Sequence, residues 1–180
     1  WRTTILERIR PVLSLSAKPI SILLLTILYL VFVFLIFPGV ATPTTAPPID
    51  LAFHYSVEQV YEWIELYGEE GRRRYMIGEL TVDFVYPIIY TGLFCGLIGF
   101  FTSVGQKGKH SSLAALPIAI WLFDMFENTG IVTMLYRYPE KLHMVASVTA
   151  WFTSIKWTLA VAVIFMIVVL GVRYVYLKFV

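Results

Sequence analysis

Four long apolar segments dominate this 180-residue sequence and limit what it can fold into. Each is about 20 residues or longer, which is the length that an α-helix needs to cross about 30 Å of hydrocarbon. We therefore predict four membrane spans, at about residues 19–40, 78–103, 111–136 and 144–172. The predicted fold is an all-α, four-helix transmembrane bundle that forms a single membrane domain over residues 1–180.

Composition supports this class of protein and excludes others. Hydrophobic residues make up 58% of the chain and charged residues only 14%, whereas soluble domains average about 25% charged residues. The net charge of +2 gives no reason to expect nucleic acid as a partner. There is one cysteine, and the three histidines lack metal-ligand spacing, so the sequence predicts no metal site and no identifiable cofactor. The predicted partners are the lipid bilayer and other membrane subunits or a second copy of the chain.

The loop between the first two spans has two predicted parts. Residues 42–48 form a stiff, proline-rich linker. Ser56 with Gln59 three residues later then makes a capping-box pattern, which predicts a short amphipathic helix over about residues 56–67. We expect it to lie at the outer membrane surface with Trp63 as an interfacial anchor.

A second short helix is predicted before the first span, where Thr4 and Glu7 form another capping-box pattern. We expect this helix to lie at the membrane interface and to end at Pro11.

Lysine and arginine placement predicts the orientation. With four spans, eight of these residues fall on the side of both termini, five fall on the other side, and Lys156 lies inside a span. The bias places both termini on the cytoplasmic side, or on the matrix or stromal side in an organelle.

Polar residues follow one face of the second span. Glu79 at its boundary, Asp83, Tyr86 and Tyr90 are spaced i, i+4, i+7 and i+11, as on one side of a helix. Pro87 lies four residues after Asp83 and cannot donate a hydrogen bond to the Asp83 carbonyl. The carboxylate and this freed carbonyl concentrate acceptors at one point, which calls for a proton, a cation or a donor side chain.

The third and fourth spans carry further charges. Asp124, Glu127 and Asn128 share a face of the third span, and Lys156 lies near the middle of the fourth with Thr153 on the same face. A charge inside the membrane costs about 2.5–3.5 kcal/mol, so we expect these side chains to meet in the bundle interior. Asp83, Asp124 and Glu127 against Lys156 leave a net charge of −2 that requires compensation.

Two sets of candidate site residues follow. The catalytic candidates are Asp83, Asp124, Glu127 and Lys156. The candidates for a pocket or a supporting network are Glu79, Tyr86, Tyr90, Asn128 and Thr153.

A pair of glycines in the second span, Gly92 and Gly96, allows a close helix contact. The pattern fits packing against the first span as well as dimerisation.

Three motifs together resemble an uncharacterised family of four-span integral membrane proteins. They are Glu79-Leu-x-x-Asp83-x-x-Tyr86-Pro87-x-x-Tyr90, Phe123-Asp124-x-x-Glu127-Asn128 and Lys156-Trp157. The resemblance covers roughly residues 55 to 170 and implies a four-helix membrane bundle. No activity is established for that family, so the resemblance implies no catalytic role.

Three functions are compatible with these residues. The sequence favours an accessory or scaffold subunit of a larger membrane complex, in which the polar side chains form a satisfied network. The first alternative is a membrane-embedded acid–base enzyme acting on a lipid or isoprenoid, which predicts an apolar cavity beside Asp83 and Asp124 that opens to lipid. The second is a proton- or cation-coupled transporter or channel, for which a four-span unit would need to oligomerise.

Overall fold

The computed structural model describes residues 5–39, 46–102 and 112–179. The predicted capping residue Thr4, the linker residues 42–45 and the loop lysines 107 and 109 lie outside these ranges. Every regular element in the described part of the chain is helical.

Four helical segments are long and apolar enough to cross a membrane: Pro19–Ile36, Gly68–Thr102, Leu113–Arg137 and His143–Phe179. This confirms the predicted number of helices that could span a membrane. The α-helices are α1 (Ile5–Ser16), α2 (Pro19–Val31), α3 (Phe37–Gly39), α4 (Val57–Leu66), α5 (Gly68–Thr102), α6 (Leu116–Arg137) and α7 (His143–Phe179). A π-helical turn (Phe32–Ile36) joins α2 to α3, and 3₁₀ turns lie at Ile49–Leu51 and Ser112–Ala115.

Several helix boundaries differ from the predicted ones. α5 begins at Gly68, ten residues before the predicted span, because a positive φ of 66° at this glycine separates α4 from α5. Glu70 then pairs with Arg73 at 3.0 Å and with Arg74 at 2.7 Å, which supports a helix outside the apolar segment. The predicted end of the N-terminal helix at Pro11 is wrong: this proline lies inside α1, which continues to Ser16. The buried side chain of Leu13 packs in the apolar core and stabilises the helical turn that follows Pro11.

The helices pack around α5, which contacts α1, α2, α6 and α7, while α6 and α7 form an extensively packed antiparallel hairpin. The glycine pair of α5 is used inside the chain. A Cβ atom on Gly96 would lie 2.5 Å from the carbonyl oxygen of Ser16, and one on Gly92 would lie 3.5 Å from the Leu25 side chain. The two glycines therefore allow the first span and the end of α1 to pack closely against α5.

Two apolar cores lie at opposite ends of the bundle. The first is at the loop end, defined here as the end that carries residues 46–67, and it joins α4 to Tyr75, Ile131 and Ala150 of the long helices. The second joins Tyr90, Ile120 and Val163 of the same helices to α1. Between these two sets of positions, α5 carries Glu79 and Asp83, α6 carries Asp124 and Glu127, and α7 carries Lys156. The fold therefore places them in one polar layer between two apolar cores.

Candidate functional site

Lys156 of α7 forms the centre of the polar layer. Its Nζ lies 3.2 Å from Asp124 Oδ1, forms a second ion pair with Glu127 Oε2, and donates to the backbone carbonyl of Asp50 at 3.3 Å. The Tyr90 hydroxyl donates to the other Asp124 oxygen at 2.7 Å. Asp124 is 4% exposed and Glu127 is fully buried. These contacts join α7 to α6 and hold Asp124 between an ammonium group and a phenol.

Asp83 contacts a donor side chain at the backbone carbonyl that Pro87 leaves without a helical hydrogen bond. The Asn128 amide nitrogen donates to the Asp83 backbone carbonyl at 3.1 Å and to its carboxylate Oδ2 at 3.0 Å. One side chain thus satisfies both the acceptor that Pro87 leaves free and the carboxylate beside it. Of the three partners expected at this point, a proton, a cation or a donor side chain, the structure shows the donor side chain, and the contact connects α6 to α5.

Asp50 also belongs to this layer, although it lies in the loop between the first two spans. Its carboxylate accepts a hydrogen bond from the Tyr75 hydroxyl, and its backbone carbonyl accepts from Trp157 Nε1 at 3.0 Å as well as from Lys156. A single sequence gives no signal for this placement, because the residue lies in a loop 106 positions from Lys156. All three aspartates of the chain therefore lie in the polar layer.

Glu79 lies closer to the interior than its predicted boundary position suggests. It is 4% exposed, and its carboxylate lies beside those of Asp50 and Asp83, with one oxygen from each of the three within 4.8 Å of the others. Among the described residues, this is the group whose donor atoms are spaced to hold a metal ion, and its all-oxygen chemistry suits Ca²⁺ or Mg²⁺ better than Zn²⁺. Acidic side chains also cluster without a metal, so this spacing alone defines no metal site.

The polar layer has more negative charge than positive charge. Five carboxylates, those of Asp50, Glu79, Asp83, Asp124 and Glu127, stand against one ammonium, which leaves a formal charge of −4 when all are ionised. Lys156 is the only buried lysine or arginine in the described part of the chain. The imbalance exceeds the −2 expected from the sequence, because Asp50 and Glu79 join the layer.

Three buried acceptor oxygens in this layer have no hydrogen-bond partner among the described residues: Glu79 Oε2, Glu127 Oε1 and Asn128 Oδ1. Leaving a buried acceptor unpaired costs about 1–3 kcal/mol, and more for a charged group. The network is therefore connected but incomplete.

The remaining network candidates have separate contacts. The Thr153 hydroxyl is buried and donates to the Thr149 carbonyl of its own helix at 3.0 Å. Tyr86 packs its ring against Tyr90, with centroids 5.4 Å apart.

At the loop end, burial raises the pKa of the Tyr55 and Tyr67 hydroxyls, so both remain neutral.

A cavity of about 450 Å³ opens beside the polar layer. Asp50, Asp83, Asp124 and Lys156 form its polar wall. Most of the other lining is apolar or aromatic and comes from the first span, α5, α6 and α7. Its aromatic members are Tyr29, Phe37, Tyr86, Tyr90, Phe94 and Trp157. A cavity therefore lies beside Asp83 and Asp124, and its size is typical of ligand sites.

Comparison with known proteins finds no matching family model, no matching curated protein and no matching solved structure. The resemblance to an uncharacterised four-span family remains a prediction.

Proposed function

We propose that the protein is a membrane-embedded acid–base enzyme whose substrate is a lipid or an isoprenoid held in the cavity. One observation carries the proposal: Asp83 and Asp124, from two different helices, both line the same largely apolar cavity. A network that served only to fix the helices would not require an unfilled volume of about 450 Å³ next to its charges.

The two carboxylates have different surroundings, which suits different roles. Asp124 accepts a hydrogen bond from Tyr90 and pairs with Lys156, so its ionised form is well supported. Asp83 shares its surroundings with the carboxylates of Asp50 and Glu79, and three such groups within 4.8 Å favour a shared proton. We assign Asp83 as the proton donor and Asp124 as the ionised partner.

Migration of a carbon–carbon double bond is the simplest reaction for this pair. The π electrons take the proton of Asp83 to form a new C–H bond, which leaves a positive charge on the neighbouring carbon. Asp124 stabilises that charge and removes a proton from the adjacent carbon, whose C–H electrons form the new double bond. Proton exchange with solvent returns both carboxyl groups to their starting states, so the reaction is balanced.

The first span offers a route for the substrate. No residue of α2 or of the π-helical turn is buried, although Tyr29, Val33 and Phe37 line the cavity. The cavity wall formed by this span is thus a single helix with lipid-exposed side chains. We propose that the substrate enters from the bilayer past this wall.

Deuterium exchange tests the enzyme without knowledge of the substrate. Purified protein in nanodiscs, incubated with a lipid extract of its host membrane in D₂O, should introduce carbon-bound deuterium into one lipid class, detected by mass spectrometry. Asp83→Asn and Asp124→Asn should lower the exchange rate by at least roughly 100-fold, in line with the 10²–10⁴-fold contributions of general acids and bases. Glu65→Gln, on the exposed side of α4, is the matched control and should exchange normally. A folded wild-type preparation that exchanges no lipid rejects the proposal.

A scaffold subunit remains the second candidate, and the Lys156 contacts favour it. This residue connects α7 to two carboxylates of α6 and to the loop at Asp50, as a network that fixes helix positions would. Such a subunit should purify from native membranes within a larger complex, and Asp124→Asn should release it. Native purification as a single species with unchanged stability of that variant argues against a scaffold.

A further inference from the structure

We propose that the cavity selects amphiphiles whose polar end is positively charged, and specifically binds a lipophilic ammonium group between Asp83 and Asp124. The inference rests on the proposed function for its choice of the cavity as the site, and it adds the chemical class of the ligand. The position of Lys156, the rings around Asp83 and the unpaired acceptor oxygens support it.

Lys156 shows how this cavity already holds one ammonium group. Its Nζ lies against the carboxylates of Asp124 and Glu127 and against the Asp50 carbonyl, and it is 5.4 Å from the centroid of the Trp157 ring. Carboxylates, a carbonyl and an aromatic face are therefore combined around a buried cation on the α7 side. A cation at this distance from an indole face gains electrostatic stabilisation from the ring.

The α5 side of the cavity offers a similar environment without an ammonium group. Asp83 lines the cavity, and the Tyr86 ring follows it one helical turn later. Tyr86 in turn packs against Tyr29 at 5.6 Å and against Phe37 at 4.9 Å between ring centroids. Aromatic faces and a carboxylate thus lie together on this side, where Lys156 does not form its ion pairs. This arrangement suits a second cation, supplied by a ligand.

Two buried acceptor oxygens close to Asp83 lack a hydrogen-bond donor among the described residues. Glu79 is 4% exposed, its carboxylate lies beside that of Asp83, and its Oε2 has no donor among the described residues. Asn128 Oδ1 is also buried without a donor, on the side chain whose amide nitrogen contacts Asp83. Neither residue lines the cavity, so an ammonium group beside Asp83 does not contact these two oxygens; it offsets the negative charge of the adjacent Glu79 and Asp83 carboxylates. Even with one proton shared among Asp50, Glu79 and Asp83, the polar layer stays negative.

The cavity volume sets the size of a suitable probe. About 450 Å³ accommodates roughly fifteen groups of the size of a water molecule, at about 30 Å³ each. N,N-Dimethyldodecylamine has about that number of non-hydrogen atoms and is protonated at neutral pH. 1-Dodecanol and dodecanoate carry the same chain with a neutral and a negative polar end, so the three compounds separate the effect of charge from that of the chain.

The experiment measures saturable binding of radiolabelled N,N-dimethyldodecylamine to the protein in nanodiscs, with binding to empty nanodiscs subtracted. We expect the unlabelled amine to compete at least tenfold more strongly than dodecanol, and dodecanoate to compete least. Equal competition by dodecanol or by dodecanoate overturns the inference, and this comparison needs no variant. Displacement of the amine by 1 mM Ca²⁺ but not by NaCl of equal ionic strength also overturns it, because the acidic group would then hold a metal ion.

Two variants should shift amine binding in opposite directions. Asp83→Asn should weaken it at least tenfold, whereas Lys156→Met removes the resident ammonium and should tighten it. Glu65→Gln on α4 is the control and should leave it unchanged. Weaker amine binding to Lys156→Met, in a preparation that circular dichroism shows to be folded at the assay temperature, contradicts the inference. Amine binding without deuterium exchange supports the ligand class and rejects the enzyme; exchange without amine preference does the reverse.

Discussion

Replacement of Lys156 by methionine tests how the polar layer is held together. Methionine keeps an unbranched side chain but removes the ammonium group that pairs with Asp124 and Glu127. Removal of one partner from a buried ion pair destabilises proteins by about 3–5 kcal/mol, because the remaining charge is buried without compensation. Loss of the hydrogen bond to the Asp50 carbonyl adds about 0.5–1.5 kcal/mol. Lys156→Met should therefore lower the free energy of unfolding by about 3.5–6.5 kcal/mol.

Thermal unfolding in detergent, followed by circular dichroism, measures this loss. One kcal/mol corresponds to about 2–4 °C in Tm for a protein of this length, so we expect Tm to fall by roughly 7–26 °C. The double variant Lys156→Met with Glu127→Gln removes one carboxylate together with the ammonium and should recover part of that loss. A Tm of the single variant within 2 °C of wild type would refute the argument that this ion pair holds the layer. A double variant less stable than the single one would refute the charge explanation.

Two further substitutions test packing and the loop. Gly130→Ala places a Cβ atom where it overlaps the Thr149 side chain of α7, and overpacking of this kind costs about 1–3 kcal/mol, so Tm should fall by roughly 2–12 °C. The control is Gly92→Ala, whose Cβ meets the Leu25 side chain at an ordinary 3.5 Å and should change Tm little. Equal Tm values for the two variants contradict the close α6–α7 contact. Tyr75→Phe removes the hydroxyl that contacts Asp50, so limited proteolysis should cut residues 46–56 faster than in wild type. The control is Tyr136→Phe, at an exposed position, which should be cut at the wild-type rate. Equal cleavage rates for Tyr75→Phe and wild type would show that this hydroxyl does not anchor the loop.

The sequence predicts the spans and part of the polar layer because both depend on local patterns. Apolar segments of about 20 residues mark the four membrane-crossing helices, and the position of Pro87 identifies the acceptor that Asn128 occupies. Spacing on individual helices also places Asp83, Asp124 and Lys156 on inward faces, because a charge facing lipid is unfavourable.

The contribution of Asp50 could not be predicted in this way. Helical periodicity relates residues only within one element, and this residue reaches the layer through a 3₁₀ turn and tertiary hydrogen bonds. The start of α5 was missed for a related reason. Hydropathy locates the part of a helix that suits hydrocarbon, whereas the helix itself continues through charged residues back to Gly68.

The short connection between α6 and α7 has a consequence for biogenesis. Only five residues, 138–142, separate the two helices, and Arg137 pairs with Glu140 at this connection at 2.5 Å. Inserted alone, α6 would bring two carboxylates into the bilayer and α7 would bring an ammonium, at about 2.5–3.5 kcal/mol for each charge. Inserted together as a hairpin, Lys156 meets Asp124 and Glu127 during entry. Entry of α6 and α7 as one hairpin therefore avoids the cost of placing these charges in the bilayer separately.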